Sequence, residues 1–224
     1  MTRETTEKTR RGSRKSGLLA LLALSSLVLS TTMALFSDFR TSSTQSISAG
    51  TVTLGDGATD VTCNITTLMP GDSSSGYGAG SADRATCEFN VEYTGSGTAW
   101  LGLDVSVNNG ATALYSGTAE GLQLKVKSGA VSFVNGTTYS AESTGAATTL
   151  VAGTPIERML FSTSAASTNT AVPVTIDYML PLASPNSFQG GSVTITLTVR
   201  AVQSSNQPIG ACVAGRPCTA VTWS

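Results

Sequence analysis

Between Ser192 and Val202 apolar and polar residues alternate without a break. Val193, Ile195, Leu197, Val199 and Ala201 fall on one side; Thr194, Thr196, Thr198 and Arg200 fall on the other. A period of two sends successive side chains to opposite faces, so this stretch reads as a half-buried β-strand. Cys87, Phe89, Val91 and Tyr93 alternate with Glu88, Asn90 and Glu92 in the same way. Segments with alternation or β-branched enrichment recur at residues 46–54, 61–67, 84–93, 99–107, 122–127, 131–134 and 172–180. Asn108-Asn109-Gly110 is a turn signal, because Asn-Gly accepts positive φ. About eight strands and almost no helical pattern predict an all-β chain, a two-sheet, jelly-roll-like β-sandwich in a single domain. Residues 111–169 are less regular and low in complexity at 140–149 and 162–170. They read as longer loops with one or two short strands, or a helical turn near 156–161.

The start of the chain is of another kind. Residues 1–15 carry Arg3, Lys8, Arg10, Arg11, Arg14 and Lys15; the apolar run 17–29 follows, and then Ser30-Thr31-Thr32-Met33-Ala34. A basic region, a short apolar core and a small-residue exit are the parts of a secretory signal, with cleavage expected between Ala34 and Leu35. Counted as far as Phe36, the run approaches the length of a membrane-crossing helix, so a retained anchor is the competing reading. Ser25, Ser26, Ser30, Thr31 and Thr32 dilute its hydrophobicity and favour cleavage. The domain plan is a signal at 1–34, an extended segment at 35–47, a sandwich at 48–204 and a tail at 205–224.

The signal holds six of the 13 basic and two of the 14 acidic residues, so the remainder has 7 basic against 12 acidic and a net charge of −5. Lys125 and Lys127 are its only lysines. Nucleic acid and anionic membrane surfaces need clustered cations, and none are present. Any membrane association rests on an uncleaved signal segment. Ser, Thr, Gly, Ala and Asn fill the surface, leaving strand edges with few charged gatekeepers.

An even set of cysteines, Cys63, Cys87, Cys212 and Cys218, in an exported chain argues for two disulfides. Three pairings are possible. The strand reading favours Cys63–Cys87, joining two strand-like segments across a Gly/Ser loop, with Cys212–Cys218 closing a small turn in the tail. Zinc spacing is absent. The chain contains no histidine, which removes H-E-x-x-H, His-based zinc triads and a histidine base for any serine. Gly71-Asp72-Ser73-Ser74-Ser75-Gly76 therefore reads as a flexible loop, not a nucleophile. Asp56, Asp60, Asp72 and Asp83 border loops without calcium-loop spacing. The chain reads as non-enzymatic, with no cofactor or metal.

Three passages in order resemble the TasA/camelysin family of secreted biofilm-matrix proteins. They are Ala34-Leu35-Phe36-Ser37-Asp38 followed by Ser48-Ala49-Gly50-Thr51-Val52-Thr53-Leu54, then Leu68-Met69-Pro70-Gly71-Asp72, then Asn186-Ser187-Phe188-Gln189-Gly190-Gly191-Ser192. The cysteines, the middle of the chain and the tail after Gln203 are not part of that pattern. The resemblance implies a sandwich fold, export through a dedicated signal peptidase and an extracellular, cell-surface location. It also implies self-association into fibres, one subunit's N-terminal segment adding a strand to the next. Phe36, Phe39 and Ile47 are then the apolar anchors of the donor segment. A monomeric surface or adhesion module is the alternative, and a camelysin-type metalloendopeptidase a further one. N-terminal sequencing of the secreted protein is expected to begin at Leu35 or within two residues of it; an intact Arg10-Arg11 region would contradict this.

Overall fold

A computed structural model describes residues 37–39, 44–47, 50–54, 62–78, 81–95, 97–167, 169–205, 207, 209, 210 and 212–223. The expected signal, residues 1–34, lies outside the described residues. The described strands are β1 (Ser37–Phe39), β2 (Thr44–Ile47), β3 (Gly50–Leu54), β4 (Thr62–Thr66), β5 (Asp72–Ser74), β6 (Ser81–Arg84), β7 (Cys87–Tyr93) and β8 (Ala99–Asn109). After these come β9 (Gln123–Ser128), β10 (Val131–Gly136), β11 (Thr138–Ser140), β12 (Ala147–Thr149), β13 (Ile156–Leu160), β14 (Thr170–Met179) and β15 (Ser192–Gln203). They form two sheets, as the alternation predicts. Sheet A runs β1-β15-β8-β13, with β4 also on β15; sheet B runs β12-β11-β10-β9-β14-β7-β3-β2, with β5 and β6 attached through β14. All pairings are antiparallel except β5 with β6.

The alternation of β15 becomes burial. Val193, Ile195, Leu197, Val199 and Ala201 are at most 4% exposed. Opposite them on β8 stand Val107, Val105, Leu103 and Leu101, paired with Ile195, Leu197, Val199 and Ala201. Sheet B contributes Phe89, Val91, Leu124, Val126, Val174 and Ile176 to the same core. Phe133 and Phe161 meet edge to face there, with centroids 5.2 Å apart. Truncating a fully buried Leu103 to alanine in such a core costs about 2–5 kcal/mol.

Both expected disulfides form. Cys63 lies on β4 of sheet A and Cys87 on β7 of sheet B, so their bond joins the two sheets, with Cα atoms 6.0 Å apart. Cys212–Cys218 closes a separation of only six residues, but the tail is held by much more. Leu160 N–H donates to Arg216 O, and Gly215 and Cys218 N–H donate to Leu160 O and Arg158 O, which lays the tail along β13. Cys218 and Val221 are buried with Leu160 and Val202, flanked by Trp100, Ile209 and Trp223. Two disulfides suit an oxidising, extracellular environment.

Three local expectations are corrected. Residues 46–54 form a hairpin, not one strand: β2 and β3 pair from Thr44↔Thr53 to Ile47↔Gly50. The segment at 156–161 is strand β13, not a helical turn. Residues 71–76 are no flexible loop, because Ser73 and Ser74 are buried in β5 at 1% and 0% exposure. The middle region also carries β11 and β12, and its loop is drawn inward. Asn109 Oδ1 accepts from Leu114 and Tyr115 N–H, and Tyr115 O–H donates to Leu150 O at 2.7 Å. Burial pushes the Tyr115 hydroxyl up to about 12. Replacing Cys63 and Cys87 by alanine is expected to lower unfolding free energy by ~2–4 kcal/mol in denaturant titration, whereas replacing Cys212 and Cys218 costs less because the loop is short. Equal losses would contradict this.

Candidate functional site

The longest strand is β15, and its two flanks differ. One flank is covered over its whole length by β8, in pairs from Val193↔Asn109 to Gln203↔Ala99. The other is shared by two short strands: β4 pairs with Ser192–Thr196, and β1 pairs with Arg200–Val202. Between them no pairing is made by Leu197, Thr198 and Val199 on that flank among the described residues. Among the described residues, Ser37–Phe39 is the outer partner of the C-terminal half of β15. β2, from the same N-terminal segment, lies instead at the edge of sheet B on β3. The expected anchors Phe39 and Ile47 therefore stand on different sheets of one chain. Ala34, Leu35 and Phe36 lie outside the described residues, as do the side chains of Phe39 and Ile47.

Three carboxylates are built into the surrounding scaffold, each for a local electrostatic reason. At Met69-Pro70-Gly71-Asp72, Asp72 N–H donates to Met69 O and Gly71 sits at φ 97°, the arrangement of a type II turn with Pro and Gly at its centre. Asp72 Oδ2 accepts from Met69 N–H at 2.9 Å and from an Arg84 guanidinium N–H at 2.8 Å. Burial pushes the Asp72 carboxyl up, but the Met69 and Arg84 hydrogen bonds and the Arg84 charge together outweigh it and hold it below its ordinary value.

Asp177 is 1% exposed. Its Oδ1 accepts from Ser74 Oγ at 3.0 Å and Thr86 Oγ1 at 2.6 Å, while Lys127 Nζ lies 3.4 Å from Oδ2. Ser74 Oγ in turn accepts from Tyr178 N–H. Gly76 is required here, since a Cβ would stand 2.2 Å from Asp177 Oδ1. Ser74 is thus a fixed donor to a buried carboxylate.

Asp104, on the outer face of sheet A, is 7% exposed. Arg200 Nε–H donates to one of its oxygens at 2.7 Å, and Arg158 N–H donates to the other at 2.6 Å. Arg158 reaches it from φ 61°, at a register shift between Ile156 and Met159 where β13 bulges against β8. Around this pair opens a groove of about 270 Å³, bordered by Ser106, Asn108, Pro155, Glu157, Thr196 and Thr198.

Of these groups the sequence singled out Asp72 and the serine run but neither Asp104 nor Asp177. The available signal was a carboxylate on the polar side of an otherwise apolar strand, in Leu101–Val107 and Val174–Leu180. Asp56 and Asp60 lie outside the described residues, as does the side chain of Asp83. No group of three or more His, Cys, Asp or Glu residues able to hold a metal occurs among the described residues. Nor is any helix among them long and apolar enough to cross a membrane. Comparison with protein-family models, curated proteins and solved structures finds no match to this chain.

Asp72 stabilises the fold only while it is ionised. Because its folded value is depressed, the contribution is full above the unfolded carboxylate value of about 3.9 and is lost as pH falls through the folded value. Asp72→Asn is expected to lower stability by about 1 kcal/mol near neutrality, discounted for the partly exposed Arg84. In urea titrations the gap between native and variant proteins narrows as pH falls below the unfolded carboxylate value. A constant gap over the whole pH range would contradict this.

Proposed function

We propose that this protein is an extracellular structural subunit that assembles by strand addition, with β15 as the acceptor. The observation that carries this reading is the outer flank of β15, where among the described residues β4 pairs with Ser192–Thr196 and β1 with Arg200–Val202. A short strand at the end of a segment can exchange with the same strand of another copy, because the backbone bonds lost inside one chain are regained between two. Export frees that segment, since signal cleavage at Ala34–Leu35 would place β1 next to a new N-terminus. A surface of hydroxyls and amides, with few charges at its edges, offers little repulsion to edge pairing. The resemblance to the TasA/camelysin family points to biofilm matrix as the setting. A monomeric surface module is the second reading, and it is favoured by the pairing of β1 and β2 within one chain. A metalloendopeptidase draws no support from a chain without histidine.

The test compares the secreted chain with one that begins at Ser48, using electron microscopy and light scattering. The intact chain is expected to form fibres. The shortened chain keeps β3–β15, stays folded by circular dichroism and remains monomeric. Fibres of equal yield from the shortened chain would remove strand addition by residues 35–47. A persistently monomeric intact chain would leave the surface module.

A further inference from the structure

An asparagine followed by glycine is chemically labile, because no Cβ hinders the glycine nitrogen from approaching the asparagine carboxamide. The chain has two such pairs, Asn109-Gly110 and Asn135-Gly136. The fold treats them differently.

Asn109 is the last residue of β8, and its side chain is fully engaged. Its Oδ1 accepts from the N–H groups of Leu114 and Tyr115, and its Nδ2–H donates to Tyr115 O at 2.8 Å. Gly110 N–H donates to Ser192 O at 2.9 Å. Carboxamide and neighbouring nitrogen are therefore both held. Turning the carboxamide would also leave the Leu114 and Tyr115 N–H groups without their acceptor.

Asn135 stands at the other extreme. Asn135 and Thr138 close the hairpin of β10 and β11, with Gly136 and Thr137 as its two-residue loop. Gly136 sits at φ 68°, which glycine adopts without steric cost. The Asn135 side chain is exposed, and its carboxamide makes no hydrogen bond among the described residues; Thr138 Oγ1–H donates only to its backbone carbonyl. Lys125, opposite Asn135 in the ladder, is engaged elsewhere, donating to Tyr77 O with Nζ 4.3 Å from the Tyr77 ring centroid. Gly136↔Leu124 is the last pair between β9 and β10, where a ladder opens most readily.

We propose that Asn135 is a site of spontaneous conversion to aspartate and isoaspartate, while the fold preserves Asn109. The Gly136 nitrogen gives its proton to water and bonds to Asn135 Cγ; the bond from Cγ to the amide nitrogen breaks and ammonia leaves, giving a cyclic imide. Water then opens the imide. Cleavage between the Gly136 nitrogen and Cγ yields aspartate, and cleavage between that nitrogen and the backbone carbonyl carbon yields isoaspartate. The balance is one water consumed and one ammonia released. Each product adds a negative charge. Isoaspartate also lengthens the backbone by one carbon at the pair that joins β10 to β11, through which β12 is attached to sheet B. The change needs no enzyme and accumulates with the age of each copy.

The experiment holds the folded chain, disulfides intact, at neutral pH and constant temperature over weeks and follows tryptic peptides by mass spectrometry. Cleavage after Lys127 and Arg158 isolates Asn135 in a peptide with no other side-chain amide, and cleavage after Arg84 and Lys125 places Asn109 in another. Asn135 is expected to convert at least about tenfold faster than Asn109 in the folded chain. In guanidinium with the disulfides reduced, the two should convert at similar rates. Asn135→Gln, which would have to close a larger ring, should abolish the mass change in its peptide and leave the melting temperature unchanged. Equal rates at the two sites of the folded chain, faster conversion at Asn109, or an inert Asn135 would each overturn the proposal. So would a mass change that persists in the variant, or a rate ratio that is the same in the unfolded chain.

Discussion

The antiparallel ladder between β8 and β15 is the constraint from which the rest of the structure follows. Its eleven residue pairs fix which side chains of two strands face inward, since a slip of one residue would turn every apolar side chain of β15 outward. With that register set, Leu101, Leu103, Val105 and Val107 meet sheet B as one apolar surface. The same register places Asp104 within reach of Arg200 on the opposite face. Cys63–Cys87 then ties the sheets through β4, the neighbour of β15, and through β7. One ladder therefore determines the core and the outer polar face.

How much of this could be read from sequence depended on whether the signal was local. β15 and β7 were legible because half-burial imprints a period of two, and β8, β9 and β14 were placed nearly to their ends. The hairpin of β2 and β3 was not, since no Asn-Gly or Asp-Gly occurs between Thr44 and Leu54. β13 was ambiguous because its bulge at Arg158 breaks the alternation, while β11 and β12 are short, with no buried residue to mark them. The disulfide pairing was readable from strand placement, but its crossing between sheets required topology. Asp104 and Asp177 were missed because their importance lies in partners distant along the chain: Arg200, and Ser74 with Thr86.

Charge is used sparingly, and where it is buried it is matched. Each nearly buried carboxylate meets donors on both oxygens, as desolvation requires. Hydroxyl groups do work that charged side chains do in other domains, as Ser74 does beneath Asp177.

Strand addition at the outer flank of β15 is the central proposal, and amide hydrogen exchange across Leu197–Gln203 tests it most directly. In the chain that keeps β1, amides bonded to β8 should be protected to near the global limit, with those turned toward β1 opening more readily. Removing residues before Ser48 should abolish protection of the second set and leave the first unchanged. Uniform protection of all these amides, indifferent to the loss of β1, would contradict the account.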